Sequence, residues 1–195
     1  MEALFSTAYW APVSYFLRAR QYGGICLEQH ERYQKQSYRN RCTILSANGP
    51  LHLTIPILRP HDVPIREARI DYSKPWQQMH WRAIQAAYGT SAYFEEFAQD
   101  VQALYLKETP FLFELNLQSL EMAQALLGER FSLRLSENFV PEGGEADFRF
   151  SIHPKMKNEP QGLVLSPYFQ VFATKFGFVP NLSILDLIFN QGGLY

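Results

Sequence analysis

The dipeptide Asn48-Gly49 constrains the fold more than any other feature of this chain. It lies between two short runs of alternating apolar and polar residues, at positions 42–45 and 51–55. Asn-Gly suits the positive φ angles of a tight hairpin turn, so the sequence predicts a β-hairpin here. Hydrophobic residues make up 47% of the 195-residue chain and charged residues 19%, which suits one hydrophobic core and excludes disorder, collagen and coiled coil.

If these two residues form the loop, the pairing of the two strands follows. Ile44 then faces Leu53 and Cys42 faces Ile55 on the buried side. The opposite side carries polar residues, namely Arg41, Thr43, His52 and Thr54. We therefore expect Cys42 to be a buried, unreactive thiol, and Cys26 to be a second buried thiol.

The first 27 residues are typical of a β-α-β unit. Apolar residues between positions 4 and 8 predict a strand, Pro12 suits the first turn of a helix, and Gly23-Gly24 ends that helix. Residues 25–27 then predict a second, parallel strand. Such a unit places the loop after its first strand at a ligand-binding crevice.

That first loop contains Ser6 and Tyr9, which are therefore candidate substrate-binding residues. An alternative fold is the doubly wound nucleotidylyltransferase type, which keeps a His-x-Gly-His signature at this point of the chain. Residues 8–11 read Ala-Tyr-Trp-Ala, so that signature is missing here.

The remaining elements follow from periodicity and from glycine and proline positions. Helices are expected over residues 76–88, 92–107, 111–127, 166–176 and 182–189, and strands over residues 65–71 and 131–135. Ser73 is the expected cap of the first of these helices, and residues 141–162 read as a long loop. We predict one α/β domain spanning residues 1–195, in which a mixed sheet with the β-α-β unit and the hairpin is covered by the central and C-terminal helices.

The charge balance limits the partners that this chain can recruit. Eighteen Lys and Arg against 19 Asp and Glu give a net charge of −1, so the bulk charge attracts neither nucleic acid nor an acidic membrane. No apolar stretch approaches the length of a membrane span, and Glu2 stands where a signal peptide carries positive charge. We expect a cytoplasmic protein without nucleic-acid or membrane partners, in which any anion site is local. The sequence leaves its oligomeric state open.

Common catalytic and cofactor motifs are absent: the sequence contains no P-loop, no dinucleotide-binding glycine motif, no zinc-protease motif and no serine-hydrolase elbow. The cofactor stays unknown and no metal site is predicted. His80 is either a general acid or base, or a core histidine on the apolar stripe of its helix. His30, with Glu28 and Glu31 beside it, marks either a metal or acid-base site or an exposed polar turn.

The densest polar cluster covers residues 34–41. Strand alternation would place Arg39 and Arg41 on one face, about 7 Å apart, as a clamp for a phosphate or carboxylate. Asn40 would then point to the opposite face, and Lys35 and His52 would be the nearest helpers. The alternative is a solvated edge strand with charges that prevent aggregation.

Five stretches resemble a known family over nearly the whole chain. They are STAYWAPVSYF at residues 6–16, ERYQKQSYRNRCTILSANG at 31–49, WQQMHWRAI with AYGTSAYFEEF in 76–97, DFRFSIHPK at 147–155 and FQVFATKFGFVPNLSILDLIFNQG at 169–192. The family is that of the WbqC-like proteins, which are bacterial and named for a gene associated with surface-polysaccharide (O-antigen) biosynthesis. Trp10-Ala11 departs from the family pattern, where Phe or Tyr and often a second Pro are expected.

This resemblance brings no assigned reaction or catalytic residues, but it implies transfer of an acyl, aminoacyl or similar group onto an activated sugar. It favours polar residues within the matching stretches. The candidate substrate-binding residues are Ser6, Tyr9, Tyr33, Lys35, Ser37, Arg39, Asn40, Arg41, His52, Arg149 and Lys155, and the candidate catalytic residues are His80, His30 and Asp147.

Together these observations predict a cytoplasmic group transferase that acts on a small anionic activated substrate in surface-polysaccharide synthesis. The alternative is a non-catalytic ligand-binding or scaffold protein of the same pathway. We also expect residues 147–155 to form a mobile loop that closes over the ligand, because they are charged and lie within a turn-rich segment.

Overall fold

The computed structural model describes residues 3–59, 61–156 and 163–194. The strands are β1 (Ala3–Phe5), β2 (Gly24–Leu27), β3 (Arg41–Ser46), β4 (Gly49–Thr54) and β5 (Ser132–Leu135). The α-helices are α1 (Val13–Tyr22), α2 (Trp76–Tyr88), α3 (Phe94–Ala103), α4 (Leu112–Leu127), α5 (Ala173–Phe176) and α6 (Ile184–Gln191). None of the helices in these ranges combines the length and apolarity needed to cross a bilayer.

The chain opens with the expected β-α-β unit. Strands β1 and β2 pair in parallel, and β5 joins the other side of β2, also in parallel. Helix α1 ends at Gly23, whose φ of 72° lies in the left-handed region where glycine avoids a steric penalty. All three strands point the same way, so the residues that follow them, Ser6, Glu28 and Ser136, lie along one edge of the sheet.

The hairpin is confirmed, but its register differs from the expected one. Ser46 pairs with Gly49, so Ala47 and Asn48 form the loop, Cys42 faces Leu53 and Ile44 faces Leu51. The reason is local: Gly49 takes the positive φ, 106°, whereas Asn48 does not. The Ser46 hydroxyl also donates to the Gly49 carbonyl at 2.7 Å, which ties the turn in this register.

Each partner differs from the expected one by two residues, and this even shift leaves each side chain on its expected face. Cys42 is 1% exposed and Ile44 is fully buried, whereas His52 and Thr54 are exposed. Both cysteines are free and buried, and burial raises the pKa of the Cys42 thiol. The two thiols are therefore structural, as expected.

The α/β architecture is confirmed, with the strands divided between two sheets rather than gathered in one mixed sheet. The hairpin pairs only with itself among the described residues and packs against α2 and α6. Two bonds at the start of α6 tie these parts together: the Ser183 amide donates to the Thr43 carbonyl, and the Val13 amide donates to the Leu182 carbonyl. The core therefore lies between the parallel sheet, the hairpin and the helices.

Three local expectations were wrong. Residues 65–71 form no strand: Pro64 leads directly into a 3₁₀ turn (Ile65–Glu67), and Arg69 and Ile70 then form only isolated bridges. Ser73 does not cap α2, since its amide binds the Asp71 side chain instead. The helix expected over 166–176 is reduced to α5, because Gln170 bonds to the backbone of Val179 in both directions and holds the preceding chain extended.

The other elements match their expected positions within a few residues. The long segment expected over 141–162 contains no helix or regular strand in its described part, which ends at residue 156. Its remainder, 157–162, lies outside the described residues.

Candidate functional site

A small, narrow cleft opens beside the carboxyl edge of the parallel sheet. Its polar lining comes from Ser6 and Thr7 after β1, from Ser37 and Arg39 before the hairpin, and from Arg149 and His153. In open α/β sheets, ligands bind outside the carboxyl ends of the strands. The cleft therefore has the position of a ligand site.

Behind the cleft, Glu31 and Arg39 form a buried ion pair. The guanidinium donates through Nε to Oε1 of Glu31 at 2.9 Å and through Nη2 to Oε2 of the same carboxylate. The two side chains are only 8% and 3% exposed. Ser6 joins them, because its hydroxyl donates to Glu31 Oε2 at 2.9 Å and accepts from Arg39 Nη2 at 2.8 Å. Burial raises the pKa of Glu31, although the Arg39 charge and the hydrogen bonds partly oppose this.

A second buried cluster is centred on Arg149. The guanidinium binds both oxygens of Asp147, at 2.9 and 2.7 Å, and approaches Glu28 at 3.5 Å. It also donates to the carbonyls of Val140 and Pro141. These bonds engage all five N–H groups that a guanidinium offers, so Arg149 has none left for a ligand.

The carboxylates of this cluster are fixed as well. Glu28 is fully buried and accepts from the Ser136 hydroxyl and from the amides of His30 and Val140, each at 2.8 Å. Burial pushes the pKa of Asp147 upward, but the hydrogen bonds from Arg149 outweigh it and hold the pKa below its usual value. We call Glu28, Glu31, Arg39, Asp147 and Arg149 the charged network.

His153 lines the cleft, and other basic side chains lie close enough to it to affect its charge. Burial lowers the pKa of His153, and the positive charges of Arg39, Lys155 and Arg41 lower it further. Within the described residues, no carboxylate forms an ion pair with Arg41 or Lys155. The Arg41 Nε is buried without a hydrogen-bond partner. We call Arg41, His153 and Lys155 the basic rim.

The expected strand face carrying both Arg39 and Arg41 does not exist. Residues 33–40 form turns, with Gln36 at a φ of 56°, and the strand begins only at Arg41. Arg39 turns inward to Glu31, whereas Arg41 stays half-buried and donates to the Gln36 carbonyl at 3.3 Å. Strand alternation therefore does not place Arg39 and Arg41 on one face, and it gives no support for a clamp formed by both arginines.

His80 lies in the core rather than in the cleft lining. Its Nδ1 accepts from the Tyr9 hydroxyl at 3.0 Å, Tyr9 contacts the Tyr105 hydroxyl at 2.6 Å, and Trp10 Nε1 donates to Tyr105 at 2.9 Å. Burial lowers the pKa of His80 to about 4, so its ring is neutral at pH 7. We call Tyr9, Trp10, His80 and Tyr105 the aromatic network.

The other candidates are scattered. Ser37 lines the cleft and donates to the Gln34 carbonyl, whereas Asn40 donates to the Ile55 carbonyl and closes the open end of the hairpin. His52 bonds to Thr43 on the exposed face of the hairpin. His30 is exposed and donates to the Glu137 carbonyl, Tyr33 is buried, and Lys35 is exposed.

The start of the expected mobile loop is anchored. The Leu4 amide donates to the Ala146 carbonyl, the Phe148 amide donates to the Leu4 carbonyl, and both bonds measure 2.8 Å. Phe148 is buried with its ring 5.4 Å from that of Phe5. The mobile-loop prediction therefore does not extend to residues 147–149, and for residues 150–155 it stays a prediction.

Sequence reasoning missed the importance of Glu28 and Glu31, which it considered only beside His30, and it assigned no role to His153. One signal was available: Glu28 follows β2 directly, as Ser6 follows β1. Side chains that follow parallel strands meet at the same edge of a sheet. No corresponding local signal marks His153, which reaches the cleft only through the path of the 140–156 segment.

Three of the stretches that resemble the WbqC-like proteins meet at this cleft: they supply Ser6, then Glu31 and Arg39, then Asp147, Arg149 and His153. The model of the WbqC-like protein family matches residues 8–160. The uncharacterized protein Rv1507c of Mycobacterium tuberculosis (strain ATCC 25618 / H37Rv) is 36% identical over 80 residues, which are 40% of this chain and 34% of that protein.

The match thus spans about a third of the length of this curated relative. No solved structure gives a significant match. The family model, in contrast, covers well over half of the chain and includes most of the cleft. The chain belongs to the WbqC-like protein family.

Proposed function

We propose that this protein is a cytoplasmic group transferase that binds an anionic activated small molecule at the cleft and acts in bacterial surface-polysaccharide synthesis. The observation that carries the proposal is the basic rim. His153 lines a cleft at the sheet edge where α/β folds bind ligands, the charges of Arg41 and Lys155 act on His153, and no carboxylate pairs with Arg41 or Lys155 among the described residues.

The rim, rather than the inner arginines, is the anion receptor in this proposal. Arg39 and Arg149 already hold buried carboxylates, so an anion that displaced them would leave a carboxylate unpaired in the interior. Arg41 instead has a half-buried guanidinium with an unused Nε, and a guanidinium fork matches the oxygens of a phosphate or carboxylate.

The test is a thermal-shift screen followed by calorimetry with UDP-sugars, UDP, inorganic phosphate and acetyl-CoA. A ligand that binds only the native state raises the melting temperature with concentration. We expect one class of anion to bind. Arg41→Gln should raise its dissociation constant at least about tenfold, equivalent to about 1.4 kcal/mol. Arg82→Gln, on the exposed side of α2, is the matched control and should bind like the wild type.

Binding of no anion in the screen, or equal affinity of Arg41→Gln and wild type, contradicts the proposal. The expected affinity also falls with rising salt, because part of the rim is exposed. A salt-independent affinity would place the ligand somewhere other than at the rim.

One observation favours the alternative, a ligand-binding protein without chemistry. All N–H groups of Arg149 bond to neighbouring residues, so this part of the charged network has a structural role. Product analysis by mass spectrometry, with the bound anion and candidate amine or hydroxyl acceptors, separates the two functions. Transfer to an acceptor supports the transferase, and binding without turnover supports the alternative.

A further inference from the structure

Ser6 and Glu31 have the relative position of a nucleophile and its base. Ser6 is half-buried, directly follows β1 and lines the cleft, while Glu31 lies behind it and is 7% exposed. The Ser6 hydroxyl donates to Oε2 of Glu31 at 2.9 Å. A hydroxyl that reaches the ligand space, with a carboxylate in hydrogen-bond reach behind it, is the arrangement that activates a serine.

Arg39 supplies the third part of that arrangement. It binds both oxygens of Glu31 and so fixes the carboxylate plane, and its Nη2 also donates to Ser6 Oγ at 2.8 Å. The same guanidinium therefore orients the base and stabilises negative charge on the serine oxygen. The Tyr15 hydroxyl donates to the Ser6 carbonyl at 3.1 Å and restrains the Ser6 backbone.

The environment of Glu31 suits proton transfer. Burial raises the pKa of its carboxyl, and a carboxylate with a raised pKa is a stronger base than an exposed one. Glu28 lacks this geometry, because its acceptor positions are already used by Ser136 and two backbone amides. Of these two buried glutamates, only Glu31 contacts a hydroxyl that lines the cleft.

We propose that Ser6 is the catalytic nucleophile of an acyl transfer, with Glu31 as its general base and Arg39 as the positioning residue of both. This inference rests on the proposed transferase function and names its reaction class. The donor is an acyl group activated by an anionic leaving group, as in a thioester or an acyl phosphate, and the basic rim holds the anionic part.

In the first step, Ser6 Oγ bonds to the acyl carbon as its proton passes to Glu31 and the bond to the thiolate or phosphate breaks. The proton on Glu31 then leaves with that group or passes to solvent. In the second step, an amine or hydroxyl acceptor loses a proton to Glu31 and attacks the serine ester. The bond from Ser6 Oγ to the acyl carbon breaks, and Glu31 returns the proton to the serine oxygen.

The test uses diisopropyl fluorophosphate, which needs no knowledge of the substrate. A serine oxygen displaces fluoride from its phosphorus, and peptide mass spectrometry locates the adduct. We expect the adduct at Ser6 in the wild-type protein and none in Ser6→Ala. Ser73→Ala, which removes an exposed hydroxyl before α2, should label like the wild type.

The pH profile of the wild type is the principal readout, because Glu31→Gln removes the carboxylate that neutralises Arg39 and destabilises the fold. The labelling rate should rise with pH as Glu31 ionises and then reach a plateau. Glu31→Asp keeps the charge beside Arg39 but withdraws it from Ser6, and should label about 100-fold more slowly while keeping its circular dichroism spectrum.

Absence of a Ser6 adduct, a rate that rises with pH without a plateau, or a Glu31→Asp rate equal to that of the wild type would overturn the inference. The two proposals fail separately. Anion binding without Ser6 labelling contradicts the nucleophile but still supports the anion site at the basic rim. Labelling without anion binding contradicts the anion site but still supports Ser6 as the nucleophile.

Discussion

The molecule contains two buried polar networks that differ in charge and in their access to the cleft. The charged network holds three carboxylates and two guanidiniums directly behind the cleft. The aromatic network links a tryptophan, two tyrosines and a histidine in the core, and all of its groups are neutral at pH 7 because burial disfavours their charged forms.

The comparison shows why burial of a polar side chain does not by itself mark a functional site. The aromatic network satisfies its donors and acceptors with one another, and its members do not line the cleft. The charged network keeps ionised groups out of water, which is costly unless they are paired, and it does so beside an opening. Only the second arrangement places ionised groups beside an opening.

The largest expected effect comes from breaking the charged network. Arg149→Ala leaves Glu28 and Asp147 without their cation, and should lower the free energy of unfolding by about 3–5 kcal/mol. Urea denaturation at pH 7 measures it, with Arg82→Ala as the exposed control. A loss below 1 kcal/mol would show that the network does not depend on this charge and would remove the contrast between the two regions.

A change of pH should distinguish the networks next. Burial lowers the pKa of His80 from 6.5 to about 4. Between these two pH values the histidine is therefore protonated in the unfolded chain but neutral in the native protein. Stability from this group is therefore fully present above pH 6.5 and is lost as the pH falls toward 4, by about 3 kcal/mol in total.

The check is the free energy of unfolding at several pH values for the wild type and for His80→Asn, which keeps an acceptor for Tyr9. We expect a shallower decline in the variant between pH 6.5 and 4. Glu31 changes the free energy of unfolding in the opposite direction. Its pKa is raised, so as the pH rises above 4.5 the native state keeps its proton to a higher pH than the unfolded chain does. Parallel curves for the two proteins would mean that His80 is not kept neutral by the fold.

The smallest expected effect comes from removing one hydroxyl of the aromatic network. Tyr105→Phe leaves Trp10 Nε1 without a partner and removes one of the two hydrogen bonds of the Tyr9 hydroxyl, which should cost about 1–3 kcal/mol. Since Tyr105 does not line the cleft, the affinity for the anion found in the screen should equal that of the wild type. A weaker affinity would connect the two networks and break the comparison.

Short-range signals predicted most of the elements. Pro12 and Gly23 bracket α1, Gly128 ends α4, and the alternation around Asn48-Gly49 gives the hairpin, because turn chemistry and periodicity depend on neighbouring residues. The expected hairpin register was wrong by two residues, because the geometry of the turn decides which of its residues takes a positive φ. Most of the helix expected over 166–176 does not form, because the Gln170 side chain bonds to Val179 and Asp186 later in the chain.

For the site, the sequence by itself determined the elements, the class of fold and the edge of the sheet at which a ligand is expected. It also placed Ser6 in the loop of the first strand and ended the second predicted strand directly before Glu28. Only the tertiary structure decided that Arg39 pairs with Glu31, that every N–H group of Arg149 bonds to a neighbouring residue, and that Arg41 has no carboxylate partner among the described residues. The physical reason is that a buried charge pairs with the opposite charge that packing brings within hydrogen-bond distance. The paired residues lie on loops, and the positions of these loops are set only when the sheet and the hairpin have packed.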